Sequence, residues 1–220
     1  MDLSRALSYI TDDEDWLKKL LIGGLLTLIP VVGQFWLMGY LTELLKNIIQ
    51  GRESPLPELL DDFGDKLVQG LLYTAIGIIY ALPLIVIGSI GGIGTAAITG
   101  IAAETDAVGF LAALSGTCLG LVMLVLGILT GLVSIYAWGR FAETGQFAKA
   151  FELSKLFEMI KANFGQTLLV LLVLAVLGMI AASVGTAACG IGAAFAGFYA
   201  QLVGAFLYGK LYLQAKAKTE

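Results

Sequence analysis

The chain has 220 residues, of which 58% are hydrophobic and 14% charged, with a formal net charge of −4 and no histidine. Soluble domains carry roughly a quarter charged residues, so this composition excludes an ordinary soluble fold. The absence of a basic stripe excludes a nucleic-acid binder, and the absence of imidazole removes histidine-based metal and nucleophile chemistry.

Three stretches hold no charge: Leu67 to Ala103, Ala107 to Gly139 and Gln166 to Gly209. About 20 apolar residues suffice to cross a ~30 Å hydrocarbon core. The expected fold is therefore an all-α integral membrane protein, a single membrane domain over 1–220.

The N-terminal MDLSRALSYITDDEDW lacks the basic segment and cleavage site of a signal peptide, so insertion is expected to use a retained apolar segment. Thr11 and Glu14 form a capping box, and Glu14 with Lys18 and Asp15 with Lys19 are i,i+4 pairs, which predicts a helix from about Asp12. It runs to Pro30, and a second apolar arm follows from Phe35 to about Ile49. Proline breaks or kinks a helix, and each arm is short for a full span.

A bent or re-entrant hairpin turning at Pro30 and Gly33 thus stands beside a single crossing. Basic residues collect on the cytosolic side of a membrane protein. Only the hairpin places Arg5, Lys18 and Lys19 on the same side as Lys46, Arg52, Lys66, Arg140, Lys149, Lys155, Lys161, Lys210, Lys216 and Lys218. It is the preferred reading, with both termini cytoplasmic.

From Ser54, with Pro55 at the first helical position, a short interfacial helix is predicted. Leu56, Leu59, Leu60, Phe63 and Leu67 share its apolar face; Glu58, Asp61, Asp62 and Asp65 share the other. That acidic face is either solvated or a docking site for a basic partner. A first full span is expected from about Leu67 to Gly88, followed by a glycine-rich connection through Gly92 and Gly94 to Glu104 and Asp106. The Gly92/Gly94 pair lacks the later glycine and preceding strand of a dinucleotide fingerprint.

A second span is expected from about Phe110 to Ala137. Gly116, Gly120, Gly127 and Gly131 form two GxxxG pairs on one face of it, a spacing that lets helices approach closely, within the chain or between copies. Gln146 to Lys161 reads as a second interfacial helix, with Leu153, Leu156, Phe157 and Ile160 on its apolar side. Third and fourth spans follow, about Thr167 to Ser183 and Ala193 to Leu213; Ala193, Gly197, Ala200 and Gly204 make a further small-residue face. Cys118 and Cys189 form no CxxC and read as inert small hydrophobes.

The order of elements repeats after about 100 residues. Gly39 and Glu43 recur as Gly139 and Glu143, Phe63-Gly64 as Phe164-Gly165, and Gly92-Ile93-Gly94 as Gly190-Ile191-Gly192. This suggests two parallel repeats, 16–107 and 108–220.

Asp15 to Gly33 (DWLKKLLIGGLLTLIPVVG), Gly39 to Glu58 (GYLTELLKNIIQGRESPLPE) and Asp61 to Leu71 (DDFGDKLVQGL) together resemble the prokaryotic membrane-protein family known as domain of unknown function 4013. The resemblance implies a multi-pass protein of the prokaryotic plasma membrane and brings no activity, cofactor or site residues. Apart from Lys210 near the end of the fourth, the predicted spans hold no Asp, Glu, Lys, Arg or His, and no GxSxG or HExxH motif occurs. No catalytic, cofactor-binding or metal-binding residue is therefore expected. The expected partners are the bilayer and a second copy or another membrane protein. Two roles remain open: a scaffold that assembles by helix packing, and a passive conduit for a neutral solute or lipid lined by Gln34, Thr74, Thr117, Thr130, Ser134 and Gln201.

Overall fold

The structure, a computed structural model, describes residues 3–52, 56–59, 61–101, 106–187 and 191–219. Among these the chain is helical throughout, with no strand: α1 Leu3–Ser8, α2 Trp16–Thr27, α3 Val32–Ile49, α4 Phe63–Ile101, α5 Asp106–Thr144, a 3-10 turn Phe147–Phe151, α6 Leu153–Ala187 and α7 Ile191–Thr219. In hydrocarbon no water can bond an open backbone, so charge-free stretches close their hydrogen bonds within one helix. Three helical segments are long and apolar enough to cross a membrane: Phe63–Gly100, Gly109–Thr144 and Leu153–Ser183. Their outer surfaces carry large exposed apolar side chains, such as Leu82, Ile85, Leu121, Leu124 and Leu172. These segments mark a membrane protein.

The chain divides into two compact units, 1–76 with 135–220, and 77–134. In the first unit α7 is the hub, packing against α1, α2, α3 and α6. Trp36, Tyr40, Leu44 and Leu45 of α3 are buried with Phe198, Leu202, Val203 and Phe206 of α7. The Tyr9 hydroxyl donates to the Leu202 carbonyl (2.8 Å), its ring stacks on Phe206 (4.5 Å), and the Tyr199 hydroxyl donates to the Leu7 carbonyl (2.9 Å). These contacts dock α1 onto α7. In the second unit the later part of α4 meets the earlier part of α5 where Leu84 faces Gly127, Met123 faces Gly88 and Leu119 faces Gly91.

The expected helix start at Asp12 is corrected: α2 begins at Trp16, and Asp15 makes no side-chain cap. Asp13 organises the turn instead, accepting the Asp15 N–H (2.9 Å) and the Lys19 ammonium (2.9 Å). The break at Pro30 is present. Gly33 lies so close to the end of α2 that a Cβ there would overlap the Leu26 carbonyl.

The acidic interfacial helix is also corrected. Ser54, Pro55 and Leu60 lie outside the described residues, but Leu56 to Leu59 are irregular and α4 starts only at Phe63. Pro57 biases Leu56 away from helical geometry. The segment's carbonyls are then taken elsewhere: Tyr40 Oη donates to Pro57 (3.2 Å), and the buried Lys66 ammonium donates to Glu58 (2.6 Å) and Asp61. Leu56 and Leu59 are buried in the core, so this stretch is a strap rather than a floating helix.

The expected glycine turn after Gly88 is corrected in turn. Helix α4 continues through Gly92 and Gly94 to Ile101, and the hydroxyls of Thr95 and Thr99 bond back to carbonyls of the preceding turn. Of the second expected glycine turn, Gly185 to Gly192, residues 188–190 lie outside those described, and the residues on either side are helical in α6 and α7. The second interfacial helix is continuous with the third span in α6, with non-helical geometry at Asn163 (φ −130°, ψ 22°). Leu156 and Ile160 are buried beside Met159, whereas Leu153 and Phe157 are exposed.

Candidate functional site

The small residues expected to close α7 against a neighbour border a cavity instead. Ala193, Gly197, Ala200 and Gly204 of α7 face Leu174, Gly178, Ala181 and Ala182 of α6 across a chamber of about 490 Å³. A Cβ on Gly197 would meet nothing within 4 Å, and one on Gly204 only the Leu174 methyls at 3.5 and 3.9 Å. Small residues on both walls leave the space that paired large side chains would fill. The volume falls in the range of small-molecule sites, about 300–1,000 Å³.

Aromatic rings close one end. Trp138 is fixed by the hydrogen bond from its indole N–H to the Thr42 hydroxyl (2.9 Å), and it packs on Tyr73 (4.9 Å between ring centres) and Tyr208 (6.0 Å). Met38 and Leu41 of α3 complete this end. Gln201 is the one amide in the lining. Among the described residues, neither its amide nor the Tyr73 and Tyr208 hydroxyls make a hydrogen bond. Toward the other end Gly178, Ala182 and Ala193 are exposed. Among the described residues, no Asp, Glu, Lys or Arg lines the chamber.

The other polar residues of the predicted conduit do not gather there. Thr74 donates to the Gly70 carbonyl (2.8 Å), Thr117 to Ala113 (2.8 Å), and the Gln34 amide to Thr27 (3.2 Å). Hydroxyls in a helix commonly bond back to the carbonyl four residues earlier, which satisfies these groups locally. Gly116, Gly120 and Gly131 meet nothing within 4 Å, and Gly127 meets only a Leu84 methyl at 4.0 Å. The close glycine contacts lie elsewhere. A Cβ on Gly39 would overlap the Lys66 carbonyl, one on Gly70 the Phe35 carbonyl, and one on Gly139 the Tyr212 ring.

Charged side chains form two clusters in the first unit. In one, Lys19 bridges Asp13 (2.9 Å) and Glu58 (3.2 Å), and Lys66 pairs with Glu43 (3.3 Å). Burial works against the Lys19 charge, but its hydrogen bonds to Asp13 and Glu58 prevail and raise its pKa. Of the predicted docking face, Glu58 is thus engaged with Lys19, while Asp61, Asp62 and Asp65 are exposed. In the other cluster Glu152 receives Arg140, Lys149 (2.6 Å) and Lys155 (3.5 Å), and the Lys149 hydrogen bond with the surrounding charge lowers its pKa. Glu143 receives Lys216 and the Tyr212 hydroxyl, both at 2.5 Å. No group of three or more potential metal ligands occurs among the described residues.

In comparison with known proteins, a family model described as "Protein of unknown function (DUF4013)" matches residues 22–191. The match begins at Ile22, inside the Asp15 to Gly33 stretch, and extends well beyond the N-terminal third. No curated protein and no solved structure matches the chain.

Proposed function

The chain belongs to the DUF4013 family of proteins of unknown function, and from that premise, which hands down no activity, we propose that it is a non-enzymatic multi-pass membrane protein acting as an assembly scaffold through helix packing. The observation that carries this reading is the α5 glycine series. Gly116, Gly120 and Gly131 have open space before them on a helix whose Leu121, Leu124 and Ile128 are also exposed. Small residues at that spacing favour close helix approach where hydrophobic burial cannot discriminate. The partner is a second copy or another membrane protein.

In this reading four helices span the prokaryotic plasma membrane, α2 and α3 enter it as a hairpin, and the termini are cytoplasmic. The apolar exposed tip at Leu28, Ile29, Val31 and Val32 supports the hairpin. The duplication is supported at matched positions. Asp62 (φ 50°) and Asn163 each depart from helical geometry just before a Phe-Gly pair, and Glu43 and Glu143 each receive a lysine.

The test is the mass of the purified protein in nanodiscs with native partners retained. Gly120→Leu and Gly127→Leu are expected to weaken assembly while membrane insertion persists; assembly unchanged in both variants overturns the scaffold. A second reading is a passive conduit for a neutral solute or lipid, to which the uncharged chamber between α6 and α7 gives entry from one side. Absence of flux across a broad solute panel in proteoliposomes removes it.

A further inference from the structure

We propose that the chamber between α6 and α7 is a binding site for one single-chain neutral lipid, its hydrogen-bonding head at Gln201, Tyr73 and Tyr208 and its alkyl chain along the small-residue walls toward Gly178 and Ala193. The inference stands apart from the assembly reading, because it uses α6 and α7 and none of the α5 glycines.

Shape comes first. The α7 wall runs from Ala193 to Tyr208, ~22 Å at about 1.5 Å per residue, and the facing wall is built from Gly178, Ala181 and Ala182 with Leu174. A long slot with small walls fits an extended alkyl chain better than a compact solute. Toward the other end Gly178, Ala182 and Ala193 are exposed, and Val176, Met179 and Ile180 of α6 are exposed apolar side chains, which gives hydrocarbon an entry.

Chemistry selects the head. Three hydrogen-bonding groups without protein partners line the chamber, Tyr73 and Tyr208 beside Trp138 at the closed end and Gln201 about two helical turns nearer Ala193. Amides and hydroxyls left without a partner away from water cost free energy that a hydrogen-bonding ligand restores. The Gln201 amide offers donors and an acceptor, and each phenol can do either, so a hydroxyl or carbonyl oxygen satisfies them. No cation lines the slot to balance a phosphate or carboxylate, and no anion to balance an amine. The ligand is therefore neutral. The Trp138–Thr42 bond and the Tyr73–Trp138–Tyr208 aromatic contacts hold the closed end in shape before the ligand arrives.

The experiment uses the full chain in phosphatidylcholine nanodiscs with a diazirine-bearing hexadecanol, unlabelled hexadecanol as competitor, and a diazirine-bearing phosphatidylcholine in parallel. The alcohol probe is expected to label α6 and α7 peptides saturably and to be displaced by the competitor. Gln201→Leu should weaken apparent affinity about tenfold, as loss of a well-made buried hydrogen bond implies, and Ala200→Phe should abolish saturable labelling by filling the slot. Gly120→Leu should leave labelling unchanged, which separates this site from the assembly surface. Labelling that is not displaced, that spreads evenly over the apolar helices, or that the phosphatidylcholine probe matches overturns the proposal. These readouts come from the unsubstituted protein and hold even if Ala200→Phe does not fold.

Discussion

Gly39 and Gly70 set how closely α3 and the start of α4 approach, because each stands where any side chain would run into the other helix's backbone. Gly39→Ala drives a methyl into the Lys66 carbonyl and forces the helices apart. Overpacking of this kind costs about 1–3 kcal/mol or more, and the expected result is a clear fall in the thermal unfolding midpoint in detergent. Gly116→Ala, with open space before it, is expected to be neutral or to stabilise by up to about 1 kcal/mol through helix propensity. Equal effects from the two substitutions would contradict this assignment. The α5 and α7 glycines were legible in the sequence because they repeat at small-residue spacing. Gly39 was not, since residue 43 is Glu, and Gly70, although Thr74 stands four residues on, has no second glycine at that spacing. Their contact is glycine to carbonyl across two helices, and spacing within one helix carries no trace of it.

At the scale of elements, the turn between α2 and α3 carries visible strain. Val32 N–H bonds to the Pro30 carbonyl (2.8 Å) across Val31, which sits at φ 67°, ψ −69°. This is a γ-turn in its rarer, strained form, and a β-branched residue there is an outlier. Strain of this sort amounts to about 1–3 kcal/mol, while glycine at the same position gives back part of it as backbone entropy. Val31→Gly is therefore expected to stabilise by about 1 kcal/mol; an unchanged or lower unfolding midpoint would show that the turn is not strained.

Proline announced this break in the sequence, and the charge-free runs announced the long helices. What the sequence did not disclose was where the elements end. Glycines that would punctuate a soluble chain stay helical in α4, where hydroxyls satisfy the backbone locally. The strap at Leu56 to Leu59 depends on Lys66 and Tyr40 capturing its carbonyls, and amphipathic periodicity cannot see those contacts.

For the molecule as a whole, charge and architecture divide along the same line. All 13 Lys and Arg residues fall in the unit made of 1–76 and 135–220, and none in 77–134. That division does not follow the two repeats expected from the sequence, whose boundary at residues 107 and 108 lies within the second unit. The candidate chamber was half legible. The α7 face at Ala193, Gly197, Ala200 and Gly204 could be read from spacing, but Leu174, Gly178 and Ala181 opposite belong to another helix. Only the way α6 lies against α7 decides whether two small-residue walls close or leave a slot.

The ion pairs of the first unit divide its lysines by chemical accessibility. The side chains of Lys66 and Lys19 are 2% and 6% exposed, against 40% for Lys149 and 58% for Lys155. An amine-acylating reagent applied to the native protein should modify Lys149 and Lys155 readily and spare Lys66 and Lys19 until the strap or the N-terminal turn opens. Site-resolved acylation by mass spectrometry would then serve as a clock for local opening; early reaction at Lys66 would mean that the strap is not held as described.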